Sequence, residues 1–598
     1  MSYPDSFYAE LVRDAEEIGH RSIVRQSFPP TIPTFSREAM FSMSMRYGET
    51  GSGKTVSNCH WVVERHGLGF KVVWFDTLKA EMACACLPMT QDHPLFPIIT
   101  QAGLKPESFP TEILQPLVFI RGQPALLYEQ PNIVKPFTIS LSDLALTEWM
   151  CLFPGGLSPG QINLHDQALK EVYSHIESVT MHDLYVKVQE ILERGKVGYG
   201  THIEGMEATP TIQMSKKVFG GREAQGLLQK YQVLLDTSLI MPSKWNGDRV
   251  KTNIDIQKIL KNQKTISVIY IPQYKDLPHL NMGIINYILN HIVHLKDPNN
   301  PNRVSTPTCL AFPELKTFCP KHIPEQKRYF IEPIKNTLLE LVSLGAGMGI
   351  AIDADTQFWR QIPDEYRANI TTSFVFDLGE QASEKIREIV KGRFVSNFKE
   401  ITDDYHLSAL KEPGTFIFLG YGRRRAEIRR NALVGFWYPR ARTSDTETET
   451  NYYNLYKRFR PKEFVDISPL YMMLLKINVE SQTKAAERMD AILMETEEKK
   501  KLKKKEKQRQ IEKLHLTTLN TLIKIAEEEK VKFFEYGKIS SRLAPIINRS
   551  VTQTQRILKK FHEKGWIYID RSQGAKKQKV ILNMEQINKV VGCRAMDR

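Results

Sequence analysis

Residues Gly48-Glu49-Thr50-Gly51-Ser52-Gly53-Lys54-Thr55 form the pattern of a phosphate-binding loop, G-x-x-x-x-G-K-[ST]. Its glycines allow the backbone to curl, so that successive N–H groups point at phosphate oxygens. Lys54 has the reach to bind the β- and γ-phosphates, and Thr55 can offer its hydroxyl to Mg²⁺. We expect a helix at 56–66 directly after the loop, with its positive N-terminal end beneath the phosphates. These residues predict a site for ATP and Mg²⁺.

Glu314 is the candidate for the residue that activates the attacking water. It follows the apolar run Thr308–Phe312, which predicts a buried strand, and we expect that strand beside the one that leads into the phosphate loop. A carboxylate at the end of such a strand can orient Mg²⁺ or polarise a water molecule. The residue before it is Pro313, where sites of this kind usually have Asp.

Three further polar side chains follow predicted strands. Thr356 and Gln357 come after the apolar run 349–352, where Gln357 could contact the γ-phosphate and report its loss. Asp76 ends the run 72–75 and is a candidate second acid or sensor. Nucleotides bind at the carboxyl ends of parallel strands, so these positions are expected near the loop.

The order of predicted elements defines an α/β protein. Strands that alternate with amphipathic helices favour a parallel sheet covered on both faces. Residues 142–245 interrupt this alternation with helical periodicity, mainly at 164–176 and 181–194. The other core strands are predicted at 117–121, 266–272, 372–378 and, as the last, 415–419. We therefore predict an N-terminal arm with a short helix at 1–40, an ATPase core at 41–141 and 246–440, an all-α insertion at 142–245, a linker and lysine-rich helix at 441–513, and a small unit at 514–590.

Length and composition agree with this plan. The chain has 598 residues, of which 41% are hydrophobic, enough for several cores. Its formal charge of +14 points to a polyanionic partner such as nucleic acid. Seven cysteines without C-x-x-C spacing favour reduced thiols rather than a zinc site. No apolar run reaches the roughly 18 residues of a membrane span, and the N-terminus lacks signal-peptide character, so we expect a cytoplasmic protein.

Residues 514–590 predict three helices followed by a two-stranded hairpin. The helices are expected at 514–529, 536–546 and 550–564, and the hairpin strands at 566–570 and 579–582. This order resembles a winged-helix domain, whose third helix reads DNA. A winged helix that binds protein is the alternative. The candidate DNA-binding residues of the third helix and the wing are Arg549, Thr552, Gln553, Gln555, Arg556, Arg571, Lys576, Lys577 and Lys579.

The motif order resembles the HerA/FtsK superfamily of DNA-pumping ATPases, and within it HerA and the conjugative coupling proteins. The resemblance covers about residues 41–440. It implies a RecA-like core in which Lys54, Glu314 and Gln357 are catalytic and Thr55 holds Mg²⁺. It also implies a homo-hexameric ring with duplex DNA in its channel and ATP at subunit interfaces. Besides the phosphate loop, the insertion and the strand before Glu314, it depends on Gly345-Ala-Gly-Met-Gly349, Thr356-Gln357 and the closing Pro413-Gly-Thr-Phe-Ile-Phe-Leu-Gly420.

Two residues depart from the family's pattern. Pro313 replaces the Asp that usually precedes the catalytic Glu. Ala346 stands where the family often has an arginine that reaches into the neighbouring subunit's site. Such an arginine stabilises the charge that develops on the phosphate. The arginines that could replace it are Arg360, Arg367, Arg423, Arg424 and Arg425.

The sequence thus predicts an ATP-dependent DNA translocase of a mobile element or virus, acting in conjugative transfer, packaging or replication. The main alternative is a DNA-binding assembly protein that uses ATP as a structural switch with little hydrolysis, which Pro313 and Ala346 favour. A HerA-like repair helicase is a third. A membrane protein or a nuclease is a candidate partner, and these process assignments rest on analogy.

Overall fold

The computed structural model divides into two compact units, Met1–Arg488 and Met489–Arg598. The residues that it describes are 9–12, 43–77, 80–93, 96–101, 103, 105–174, 176, 178–198, 221–271, 277–380, 382–389, 407, 410–411, 413–419, 433–437, 441–442, 452–531, 533–570, 572 and 578–587.

Eleven strands form one sheet in the first unit. Eight neighbouring strands are parallel, and the other three continue the sheet antiparallel at one edge. This arrangement confirms the predicted α/β class with a RecA-like P-loop core. In spatial order the strands are β1 (Ala9–Val12), β18 (Leu433–Trp437), β17 (Thr415–Leu419), β16 (Thr372–Val375), β2 (Ser44–Tyr47), β15 (Ile350–Thr356), β14 (Thr308–Phe312), β3 (Lys71–Asp76), β13 (Ile266–Tyr270), β4 (Thr111–Pro116) and β8 (Val134–Phe137).

Helices and short strands complete the first unit. The helices are α1 (Lys54–Gly67), α2 (Glu81–Cys84), α3 (Phe96–Gln101), α4 (Leu146–Leu152), α5 (Pro159–Tyr173), α6 (Met181–Gly198), α7 (Gly221–Thr237), α8 (Ile256–Lys261), α9 (Pro278–Lys296), α10 (Arg328–Met348), α11 (Asp364–Asn369), α12 (Ala382–Ile389) and α13 (Tyr452–Phe459). Single 3-10 turns lie at Leu141–Asp143, Leu315–Thr317, Glu325–Lys327 and Trp359–Gln361. The short strands are β5 (Phe119–Ile120), β6 (Gln123–Pro124), β7 (Glu129–Pro131), β9 (Ile139–Ser140), β10 (Ile240–Met241), β11 (Lys244–Trp245), β12 (Asp248–Arg249) and β19 (Phe464–Asp466).

Both faces of the sheet are covered, as β3 illustrates. Its alternate residues Val73 and Phe75 pack into a core shared with the helices of the insertion. Val72 and Trp74 point the other way, into a core with α1 and α13. Alternate side chains of a strand face opposite sides, so a strand that is apolar throughout requires cover on both. The phosphate loop therefore follows a strand of a sheet that is buried on both faces.

Three expectations for the sheet are wrong. Residues 9–12 are a strand paired with β18, where we expected a helical arm, and β18 itself follows the strand predicted to be the last. The sheet strand near 117–121 is β4, whereas β5 only pairs with β6 in a small hairpin. The sequence did not predict β4 as a strand because it carries the polar residues Glu112 and Gln115. Both have partners in the structure: Glu112 accepts from Ser267 Oγ at 2.6 Å, and Gln115 accepts from the Tyr452 hydroxyl at 2.8 Å.

One continuous helix, α14 (Ser468–Glu529), replaces the lysine-rich helix expected within 441–513 and the separate helix expected at 514–529. The boundary between the two units falls within it. Its first turns belong to the first unit, because Tyr471, Leu474 and Ile477 share a core with residues of β5 and β10. The region predicted as a linker therefore contributes buried residues to the first unit from α13 onwards.

The second unit follows the order helix, strand, two helices and hairpin. After the last turns of α14 come β20 (Phe533–Glu535), α15 (Tyr536–Ile546), α16 (Val551–Glu563), β21 (Ile567–Asp570) and β22 (Lys579–Leu582). The strands form a sheet of order β20-β22-β21, one strand more than we expected. Leu519 and Leu522 of α14 pack against Leu558 and Phe561 of α16 in its core.

Six cysteines lie in the described part of the chain, and all are buried free thiols. Burial raises the pKa of Cys86, Cys151 and Cys319 to about 12. Within the same described residues, we find no helix with the length and apolar character that crossing a membrane requires.

Candidate nucleotide site

The phosphate loop lies between β2 and α1, at the carboxyl end of the sheet. Gly53 has φ of 95° and precedes Lys54, the first residue of α1. A Cβ atom on Gly53 would lie 2.7 Å from the backbone nitrogen of Gly414, which donates to Ser52 O at 3.0 Å. The left-handed backbone and this close approach both require glycine. The helix continues to Gly67, one residue beyond the range expected from sequence.

Lys54 reaches back over its own loop. Its Nζ donates to Glu49 O at 2.6 Å, and Ser52 Oγ donates to the same oxygen at 2.8 Å. Burial lowers the pKa of the Lys54 ammonium, while four carboxylates act in the opposite direction: Asp355, Glu314, Glu81 and Glu49.

Glu314 and Gln357 meet beside this lysine. Gln357 Nε2 donates to Glu314 Oε1 at 2.8 Å. Glu314 has φ of 53° and ψ of 59°, a left-handed conformation that costs free energy for a residue with a side chain. The Glu314 N–H donates to Asp355 Oδ1 at 2.9 Å, which holds this backbone in place. Glu314 therefore contacts Gln357 and acts on the Lys54 ammonium.

The strand order corrects one expectation. The strand before Glu314 is not beside β2, because β15 lies between β14 and β2. β15 carries Asp355, whose Oδ2 accepts from Asn58 Nδ2 of α1 at 3.3 Å. Asp355 is a site residue that the sequence pattern did not predict. Its position two residues after Asp353 was the available signal, since residues i and i+2 of a strand share a face.

A buried ionic cluster around Asp353 ties β15 to β2 and α1. Asp353 accepts from Ser44, and its carboxylate lies 3.4 Å from Arg46 and 3.2 Å from Arg65. Arg46 also donates to Ser57 Oγ of α1 at 3.1 Å. These partners explain why β15 runs on to Thr356 rather than ending at 352: its acids are paired inside the sheet.

Asp76 and Thr356 make contacts that shape the backbone. Asp76 accepts from Trp74 Nε1 at 2.5 Å and from the Ala83 N–H of α2 at 3.0 Å, and burial raises its pKa to about 7. Thr356 Oγ1 accepts from the Phe358 N–H at 3.1 Å. Both side chains thus have partners in neighbouring turns.

Glu81 is a further site residue that was not predicted from the sequence. It is the first residue of α2, and Thr55 Oγ1 donates to its Oε1 at 3.4 Å. The Thr55 hydroxyl, the Lys54 ammonium and the N-terminal N–H groups of α1 are the donor set that phosphate and Mg²⁺ need. The N-cap residue of α1 is Gly53, which has no side chain to cap the first turn. The residues fit a nucleotide with Mg²⁺.

Five arginines are candidates for the one that reaches into the neighbouring subunit's site. The two that the structure describes are paired within their own chain. Arg360 donates to both oxygens of Glu388, at 2.9 and 3.0 Å. Arg367 pairs with Asp364 and lies 4.8 Å above the Trp359 ring. Arg423, Arg424 and Arg425 lie outside the described residues.

The candidate DNA-binding residues of the second unit are mostly accessible. Arg549, Thr552 and Arg556 are exposed, and Gln555 is half-buried. Gln553 differs from the expectation, because its side chain accepts from the Ser550 N–H at 3.2 Å in the capping box of α16. Lys579 lies 4.4 Å above the ring of Phe533. Arg571, Lys576 and Lys577 lie outside the described residues.

Comparisons with known proteins give structural neighbours. No family model matches the chain, and no curated protein sequence matches it. The bacterial conjugative coupling protein TrwBdeltaN70, in its unbound monoclinic form, is 12% identical over 75% of this chain and 97% of that one, with a TM-score of 0.38. VirB4 of Thermoanaerobacter pseudethanolicus is 11% identical over 68% and 90%, with a TM-score of 0.35. ATPases 2 and 3 of EssC from Geobacillus thermodenitrificans are 11% identical over 77% and 50%, with a TM-score of 0.26.

Proposed function

We propose that this protein is an ATP-dependent DNA translocase. The observation that carries the proposal is the Glu314 carboxylate at the carboxyl end of the sheet, which acts on the Lys54 ammonium and accepts from Gln357 Nε2. A carboxylate and an amide in contact, from two neighbouring strands, provide a base and a detector for the terminal phosphate. A glycine-rich turn that only binds an anion would need neither.

Each side chain has a role that follows from its contacts. Lys54 would leave the Glu49 carbonyl for the β- and γ-phosphates, and Thr55 would hold Mg²⁺, which neutralises phosphate charge when bound. Glu314 would polarise the attacking water. Gln357 touches Glu314 directly, so a change at the γ-phosphate would be passed to β15 and from there to the Asp353 cluster.

Duplex DNA is the proposed polymer. The net charge of +14 favours a polyanion, and the second unit presents Arg549 and Arg556 on exposed surface at α16. We take this unit as a winged helix that recruits DNA, with α16 as the reading helix. A homo-hexameric ring in conjugative transfer, packaging or replication follows from the family resemblance of the sequence.

A nucleotide-switched DNA-binding assembly protein is the second candidate. Pro313 lacks the usual carboxylate, and Arg360 and Arg367 are held by Glu388 and Asp364 in their own chain. A neighbouring site that receives no arginine would hydrolyse ATP slowly. In this candidate function the protein binds ATP at the same site but does not move along DNA.

Steady-state ATPase rates with and without duplex DNA separate the two. We expect turnover that DNA stimulates in the wild type, and a loss of at least about a hundredfold in Lys54→Ala and Glu314→Gln, since each removes a group that acts on the reacting phosphate. Glu528→Gln is the matched control and should keep the wild-type rate, because it changes an exposed carboxylate of α14 that pairs with Lys524 at the surface. Tight ATP binding with no turnover on DNA would reject the proposal of a translocase. It would favour the nucleotide-switched DNA-binding assembly protein.

A further inference from the structure

Thr55 has a carboxylate neighbour that comes from an unexpected element. Glu81 Oε1 lies 3.4 Å from Thr55 Oγ1, and Glu81 is one of the carboxylates that act on Lys54. In P-loop sites, Mg²⁺ is held by the loop's Ser or Thr together with an acid at the end of a neighbouring strand. That acid would be residue 313, which here is proline.

Two other carboxylates of the site, Asp355 and Glu314, already accept hydrogen bonds from the protein. Asp355 accepts from the Glu314 N–H with one oxygen and from Asn58 Nδ2 with the other. Glu314 accepts from Gln357. Glu81 accepts from the Thr55 hydroxyl itself.

The fold fixes Glu81 at this place. Asp76 at the end of β3 accepts from the Ala83 N–H, and the backbones of Met82 and Glu81 also act on its carboxylate. Met82, Ala83 and Cys84 are fully buried, so α2 cannot rotate without breaking the core. Asp76 is therefore a positioning residue for Glu81.

We propose that Glu81 supplies the carboxylate that position 313 lacks, and that it orients Mg²⁺ at Thr55. This inference rests on the proposed ATP site. It places the metal-orienting acid of this protein on the turn after β3 rather than on β14.

Binding of a fluorescent ATP analogue in EDTA and in excess Mg²⁺ tests the inference apart from turnover. We expect the wild type to bind more tightly with Mg²⁺. In EDTA, Glu81→Gln should bind the analogue within about twofold of the wild-type affinity. The factor by which Mg²⁺ increases that affinity should be at least about tenfold smaller in Glu81→Gln than in the wild type. Glu81→Asp, which keeps the charge on a shorter stem, should recover part of that gain, and direct Mn²⁺ binding by electron paramagnetic resonance should follow the same order.

Glu64→Gln is the matched control at pH 7. Burial raises the pKa of Glu64 to about 8, so this carboxyl of α1 is mostly neutral and glutamine changes little. Its Mg²⁺ gain should equal that of the wild type. A full Mg²⁺ gain in folded Glu81→Gln would overturn the inference, even if turnover fell, because Glu81 would then act on water and not on the metal. Failure of the wild type to bind the analogue, with no difference from Lys54→Ala, would instead reject the proposed function and the inference with it.

Discussion

Replacing Asp353 by Asn should destabilise the first unit strongly. The carboxylate lies 3.4 Å from the Arg46 guanidinium and 3.2 Å from that of Arg65, and all three side chains are completely buried. Removing one partner of a buried ion pair costs about 3–5 kcal/mol, because the remaining charge stays desolvated. Asn preserves the size and can still accept from Ser44, so the loss isolates the charge. Since Asp355 also acts on Arg46, we expect about 3 kcal/mol.

Urea unfolding followed by tryptophan fluorescence measures this loss. In a background with Trp566→Phe, the six remaining tryptophans lie before residue 489, so the signal reports the first unit. Asp364→Asn is the matched control, because Asp364 is 65% exposed and pairs with Lys321 and Arg367 at the surface, where a pair contributes about 1 kcal/mol or less. An Asp353→Asn protein within about 1 kcal/mol of the wild type would refute the argument that the buried arginines depend on this charge.

Three further predictions concern single sites. Gly53→Ala should weaken binding of an ATP analogue by about tenfold or more, since its Cβ would meet the Gly414 backbone at 2.7 Å; unchanged affinity would mean that the loop can shift freely. The raised pKa of Glu64 means that the folded state keeps a proton that the unfolded state releases between about pH 4.5 and 8. Wild-type stability should therefore fall with pH across this window, and urea unfolding at pH 5.5 and 8.5 should show a smaller fall in Glu64→Gln. Ser550→Ala should cost the second unit about 1 kcal/mol, read from Trp566 fluorescence, because the capping box with Gln553 is lost; Ser550→Thr, which keeps a hydroxyl, is its control.

Local patterns predicted much of the chain. Thr308–Phe312 and Tyr536–Ile546 have the bounds expected from sequence, and the phosphate loop lies between a strand and a helix. In these segments periodicity and glycine placement state the local structure directly. The approach of Glu314 to Gln357 also followed from strand ends, because parallel strands bring them to one edge.

Long-range pairing accounts for what the sequence did not reveal. The strand predicted at 349–352 stopped before Asp353, because the partner that pairs this acid inside the sheet, Arg46, is 307 residues away. Glu81 lies in a four-residue helix that is too short for a periodic pattern, and its contact with Thr55 spans 26 residues. We expected β14 beside β2, but β15 lies there, because sequence order does not fix which strand is the neighbour of β2.

The buried cysteines make the protein well suited to fluorescence labelling. Maleimides react with thiolates, and the six cysteines in the described part of the chain are shielded, with pKa values raised by burial in Cys86, Cys151 and Cys319. Replacing Cys593, which lies outside the described residues, and adding a cysteine at exposed Ser541 would give one reactive position. A dye there would follow the second unit on DNA in single-molecule experiments while the core keeps its native sulfur atoms.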